Sequence, residues 1–318
     1  MKLTRLLWPV ALLLPVWCTG SPHSRSVLPV RRVLEPNLDR ALRERYPSSE
    51  TPRDPVQAAV FTQINRDRAR AGLPPVAWDE GAARVAGSFC ARQIREKTRG
   101  HYLMDGIPPY ARTAFAGVFG MQLENAASWQ TTGASFDKSA RELGLSSHAG
   151  MMAERPPLDG HRKTILNPDM THVGVGWSSE GGRFQMAEEF LARQLAWLGV
   201  ARLPNDRVIL RFEGQSLSDA VQLVSIAWEP EPSPLTQREA SARNSYIYPE
   251  PLQSLVPEGY NATVSGRAAQ DKVHLSRGGE FSFEFAPDRP GLWTFVFYTA
   301  RTVSEHGRPA GSVTLWVE

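Results

Sequence analysis

Residues 160–177 read GHRKTILNPDMTHVGVGW. His161 opens a short helical turn that ends near Asn167-Pro168, because proline disfavours helix at the residue before it. Val173, Val175 and Trp177 then alternate with Gly174 and Gly176, the period-two pattern of a strand. Ser178 to Gly182 reads as a turn, and Arg183 to Leu191 as the returning strand. A hairpin preceded by helical sequence points to helices around a small antiparallel sheet, an α+β arrangement.

Working towards the N-terminus, Val56, Val60 and Ile64 recur at helical spacing behind Pro55, and Gly72 with Pro74-Pro75 stops that helix. Asp79 is the expected N-cap of a second helix running to about Lys97. Residues 98–123 are loop-rich. A short helix is expected around Gln122–Trp129, carrying Glu124, and another over Asp137–Ala153, with Glu154 at its end.

Beyond about residue 204 helical periodicity gives way to short strands. Phe281, Phe283 and Phe285 alternate strictly, as do Trp293, Phe295 and Phe297, with a turn over 287–291. Regularly spaced strands of this kind predict a β-sandwich of immunoglobulin-like class over 204–318. Glu229–Pro251 is expected to be a long acidic, proline-rich loop of that unit. Asn261-Ala262-Thr263 matches a glycosylation sequon.

The first twenty residues have the form of a secretory signal: Lys2 and Arg5, then an apolar run from Leu6 to Trp17, then Cys18-Thr19-Gly20. Cleavage after Gly20 leaves Cys90 as a buried free thiol. Lipidation of Cys18 is the alternative, opposed by the bulky Trp17. Residues 21–54, rich in proline and arginine, read as a linker in which Leu34–Tyr46 could form one helix. Neither a later apolar run nor a clustered basic face speaks for a transmembrane segment or nucleic acid, since the net charge of the 318-residue chain is only +3.

Four residues carry the chemistry: His101, Glu124, Glu154 and His161. Imidazole nitrogens and carboxylate oxygens suit Zn²⁺ and similar divalent ions, and the same groups suit acid–base work. The set also reads as a buried polar network that fixes the fold. There is no Gly-x-Ser-x-Gly elbow to make a nucleophile of the serines before His148. His172, ahead of a strand, reads as a surface or hydrogen-bonded residue rather than part of a site.

Residues 55–200 resemble the CAP superfamily, the SCP-like group of cysteine-rich secretory proteins, antigen 5 and pathogenesis-related 1 proteins. The resemblance is carried by Ile64-Asn65-Arg66-Asp67-Arg68, Gly72-Leu73-Pro74-Pro75, Trp78-Asp79, Gly100-His101, Pro109 with Arg112, Leu123-Glu124-Asn125-Ala126, Gly160-His161-Arg162 and the strand after Thr171-His172. It implies an α-β-α sandwich with a cavity lined by two His and two Glu, which map to His101, Glu124, Glu154 and His161. Leu123 stands where the family has Gly, and Pro156-Pro157-Leu158-Asp159 replaces the usual Trp and Ser before the last His. The function expected is that of a secreted, metal-competent binding module for an extracellular lipid, peptide or glycan. A metal-assisted or acid–base hydrolase of peptide or cell-wall polymer is the alternative.

Overall fold

The computed structural model describes residues 51–133, 135–203, 209–217, 219–259, 263–264, 267–268, 271–276, 279–301 and 307–318. The signal sequence with Cys18, nearly all of the linker with its expected helix, and Asn261-Ala262 of the sequon lie outside these residues.

Helix α1 spans Pro55–Arg70, with the Asp54 carboxylate accepting from Val56 N and Gln57 N. Val56, Val60 and Ile64 form its buried face. Strand β1, Ala77–Trp78, leads to the Asp79 cap and helix α2, Glu80–Glu96. Lys97 closes α2 in the left-handed region at φ 55°. A third helix, α3, forms over Pro109–Phe115 where a loop was expected. Met121–Gln130 is not a helix but strand β2, paired with β4 (Arg183–Ala192) over its full length. Its local residues tolerate helix; the ten-residue ladder overrides that preference. Helix α4, Ala140–Ala153, starts at a capping box between Ser139 and Glu142. Helix α5, Gly160–Ile165, and strand β3, His172–Glu180, come from the opening stretch.

The first sheet has the order β1-β3-β4-β2, with β2 at its edge. Val60 and Ile64 of α1 and Leu143 and Met151 of α4 pack against Val173, Val175, Met186 and Phe190 on one face. Ala82, Ala86 and Phe89 of α2 meet Ala187 and Leu191 on the other. The expected three-layer sandwich is therefore present. α2 lies so close to β3 that a Cβ added at Gly174 would stand 2.1 Å from Ala83 N, and one at Gly176 2.1 Å from Gly87 N. Arg68, fully buried, ties α1 to the α5–β3 connection by donating to the carbonyls of Pro74, Ile165, Asn167 and Met170.

The chain passes at Arg193-Gln194 into β5 (Leu195–Arg202), an edge strand not foreseen, then β6 (Leu210–Ser216) and β7 (Val221–Glu229). A short helix α6 (Gln237–Ala242) precedes β8 (Gln253–Pro257), β9 (Thr263–Val264), β10 (Arg267–Ala268), β11 (Asp271–Leu275), β12 (Glu280–Phe285), β13 (Gly291–Thr299) and β14 (Arg308–Val317). Strands β14-β13-β7-β8 form one leaf and β12-β6-β5 the other; β11 pairs with both β8 and β12 and joins them. The alternating aromatics meet between the leaves: Phe212 lies 4.6 Å from Phe283 and 4.4 Å from Phe295, centroid to centroid. This is an all-β unit with an aromatic core, and Phe119 from the first unit joins that core.

Candidate functional site

The four expected residues meet at edge strand β2, as two pairs. Alternation along β2 and β4 decides which network each carboxylate joins. Glu124 faces the α2 side, opposite Glu189 in the ladder; Asn125 and its partner Glu188 face the α1/α4 side.

His101 leaves the loop after α2, whose course is held by Gln93 Nε2 donating to Gly100 O at 2.8 Å. Its Nδ1 lies 2.8 Å from Glu124 Oε1. Arg112 of α3 holds the other oxygen of Glu124, donates to His101 O at 3.3 Å, and lies 3.9 Å over the Phe89 ring. Burial and the Arg112 charge push the His101 pKa down to about 4, so its imidazole is neutral at pH 7. Neutral His101 donates Nδ1–H to Glu124 and keeps a lone pair on Nε2.

Glu124 and Glu189 are both buried, and burial raises both. The Arg112 guanidinium, paired with Glu124, pulls Glu124 back, so Glu189 is raised further than Glu124. Gln122 Nε2 donates to the far oxygen of Glu189.

The second pair is local. Glu154, just past α4, accepts from His161 Nδ1 at 2.5 Å with one oxygen and from His161 N at 3.0 Å with the other, capping α5. The His101 and His161 rings are 6.3 Å apart. With each Nδ1 taken by a glutamate, Nε2 is the ring nitrogen left on both. Among the described residues, no three His, Cys, Asp or Glu side chains are arranged to hold a metal ion. Each glutamate is turned onto the Nδ1 of its histidine, so the four side chains form two His–Glu couples rather than one ring of donors.

Behind His161 lies a network that the sequence did not disclose. Asn125 Nδ2 donates to His161 O at 3.2 Å and to Glu188 at 3.1 Å. The other Glu188 oxygen is 2.7 Å from His148 Nδ1, and His148 Nε2 is 3.1 Å from Asp67. Burial lowers the His148 pKa, but the Glu188 and Asp67 carboxylates outweigh it and raise the value overall. A raised folded pKa stabilises the fold fully below the unfolded value of about 6.5, and the gain is lost as pH rises through the folded pKa. In urea unfolding, His148→Gln should cost most at pH 6 and progressively less towards pH 9; a pH-independent difference between variant and parent would refute a charged His148.

The site has a further wall from the second unit. Residues 230–252 form a strap across the first domain. Leu235 N donates to Met104 O at 2.8 Å, Gln237 Nε2 to Lys97 O at 2.9 Å, and His101 N to Arg243 O at 3.4 Å. A Cβ added at Gly106 would stand 2.3 Å from Ser233 O. The Tyr246 hydroxyl accepts from Glu124 N, and its ring meets the His101 ring edge-on at 5.0 Å. The Tyr248 hydroxyl bridges Gln122 N and O at 2.9 and 3.1 Å, and its ring stacks 4.6 Å from Tyr110. The segment expected to be a loop of the β-unit is thus built into the His/Glu site.

The fold and site define an α-β-α domain with paired His–Glu couples at its sheet edge. Residues 61–192 match the family described as CAP, the cysteine-rich secretory protein family. The chain is 30% identical over 122 residues to the uncharacterized protein YkwD of Bacillus subtilis (strain 168), a match covering 38% of this chain and 42% of that protein. It spans less than half the length of that relative. An extracellular SCP-domain protein from Bacillus anthracis is 23% identical, with 45% of each chain covered and a TM-score of 0.35. An outer surface protein from Borrelia burgdorferi is 16% identical, with 46% of this chain and 98% of that chain covered and a TM-score of 0.36.

Proposed function

We propose that this is an exported binding protein whose CAP domain presents the His101/His161 pair to an extracellular lipid, peptide or glycan. A divalent ion such as Zn²⁺ would be held loosely by the two imidazoles, with Glu124 and Glu154 backing them and solvent or ligand atoms filling the shell. When bound, such an ion would supply Lewis acidity. The observation that carries this reading is that two imidazoles 6.3 Å apart each have Nδ1 engaged by a carboxylate, one of them held neutral by its surroundings.

A hydrolase would need an uncommitted carboxylate as base. Glu124 is engaged by His101 and Arg112, and Glu154 by His161 and the α5 amides. This favours binding over turnover. Export rests on the pattern of residues 1–20, and no helix among the described residues is long and apolar enough to cross a membrane.

Calorimetric titration of the full chain with Zn²⁺ should show one weak site, lost in His101→Ala/His161→Ala. Equal heats from both proteins would end the metal proposal. Mass spectrometry of the exported chain should find Ser21 as the first residue; an acylated Cys18 would replace a free secreted form by an anchored one.

A further inference from the structure

The outer face of β5 and β6 carries an open trough lined by none of the His/Glu residues. Along β5 Leu198 and Val200 turn inward, so Trp197, Gly199 and Ala201 turn outward. On β6 Phe212 is buried and Arg211 and Glu213 face out. The register sets Gly199 opposite Glu213 and Ala201 opposite Arg211. These residues, with Val200, line an open trough of about 450 Å³.

Its chemistry is specific. Trp197 is a single large aromatic on a face that is otherwise polar or small, and its indole N–H has no partner among the described residues. Gly199 keeps the ring uncovered: a Cβ there would stand 3.8 Å from the ring. Arg211 Nε and Glu213 Oε1 pair at 2.7 Å, both side chains about half exposed at 48% and 47%. That contact uses one nitrogen and one oxygen, which leaves the other guanidinium N–H groups and the second carboxylate oxygen for a ligand in the trough.

An indole face beside a planar donor–acceptor pair matches a pyranose ring, which offers a C–H face on one side and vicinal hydroxyls at its edge. The charges choose within that class. Arg211 and Glu213 cancel, while the neighbouring strand β12 adds exposed Glu280 and Glu284. An anionic sugar would be repelled and an uncharged one tolerated. Four steps along β5, from Trp197 to Ala201, span about 13 Å, which suits a short chain of sugars better than one. We propose that the Trp197 trough binds an uncharged pyranose oligosaccharide.

The test uses the full chain on an array of uncharged and acidic pyranose oligosaccharides that includes cellohexaose and chitohexaose, followed by calorimetry with the strongest binder. The expected result is binding of an uncharged member, weakened about tenfold or more by Trp197→Ala, the equivalent of about 1.4 kcal/mol of stacking. Gly199→Leu, which fills the trough, should abolish it. Trp197 and Gly199 are half-buried, so both variants are compared with the parent after circular dichroism and a cooperative urea transition have shown the native fold. His101→Ala/His161→Ala should bind the oligosaccharide as the parent does, which separates this site from the proposed CAP function. No binding anywhere on the array, preference for acidic sugars, or unchanged affinity in Trp197→Ala would each overturn the proposal.

Discussion

Gly174→Ala is expected to yield no stably folded protein. The new methyl carbon would lie 2.1 Å from Ala83 N and 2.4 Å from Ala82 C, and both are helix backbone. Ordinary overpacking costs about 1–3 kcal/mol because side chains move aside. Here α2 as a whole would have to leave β3, and with it the contacts that hold Ala82, Ala86 and Phe89 on the sheet. A domain stable by about 5–15 kcal/mol cannot absorb that and stay native. Gly87→Ala is the control: it lies in α2 with nothing within 4 Å of the added carbon, and it should be neutral or stabilising by up to about 1 kcal/mol. Soluble yield and the circular dichroism melt decide the matter. A Gly174→Ala melt within a few degrees of the parent would show that β3 and α2 are not in contact there.

Arg112→Met is expected to destabilise by about 3–5 kcal/mol at pH 7, because it leaves a fully buried Glu124 charged beside Glu189 without its cation. The loss should depend on pH. Without Arg112 the folded pKa of Glu124 rises further above its unfolded value. Stability is then retained where the carboxyl is protonated and lost as pH rises, so the deficit should be smaller at pH 5 than at pH 8. Arg112→Met/Glu124→Gln removes the stranded charge and should recover most of the loss. Urea unfolding of the three proteins at both pH values reads all of this. A single-variant cost under about 1 kcal/mol, or no recovery in the double variant, would mean that Arg112 does not hold the Glu124 charge.

The site residues that stand inside short motifs were legible. His101, Glu124, Glu154 and His161 could each be placed, and the structure brings them to one sheet edge. Their roles were less legible. Sequence spacing presents four donors as equals, whereas the backbone turns each glutamate onto the Nδ1 of a histidine. The helix expected over β2 fails because Leu123-Glu124-Asn125-Ala126-Ala127 has no clean alternation: its polar residues are buried too, paired across the ladder with Glu188 and Glu189. Adjacent carboxylates inside an otherwise apolar strand were the available signal, since charged residues are almost never fully buried without partners. His148 lay in a helix and gave no such sign. The aromatic stripes of the β-unit were easy to read because period two and burial coincide there. Nothing local in residues 230–252 indicates what they touch, since those contacts are made across more than a hundred residues of chain.

The strap makes the two units hard to shuffle. Gly100 and Gly106 on one side, and Arg243, Tyr246 and Tyr248 on the other, are cut to each other's shape. A CAP domain excised before β5 would lose a wall of its own histidine pocket and leave the Glu124 amide without its acceptor. A β-unit transplanted from another chain would bring no Tyr246. The two cores thus share one fitted seam, and changes on either side of it have to be matched on the other.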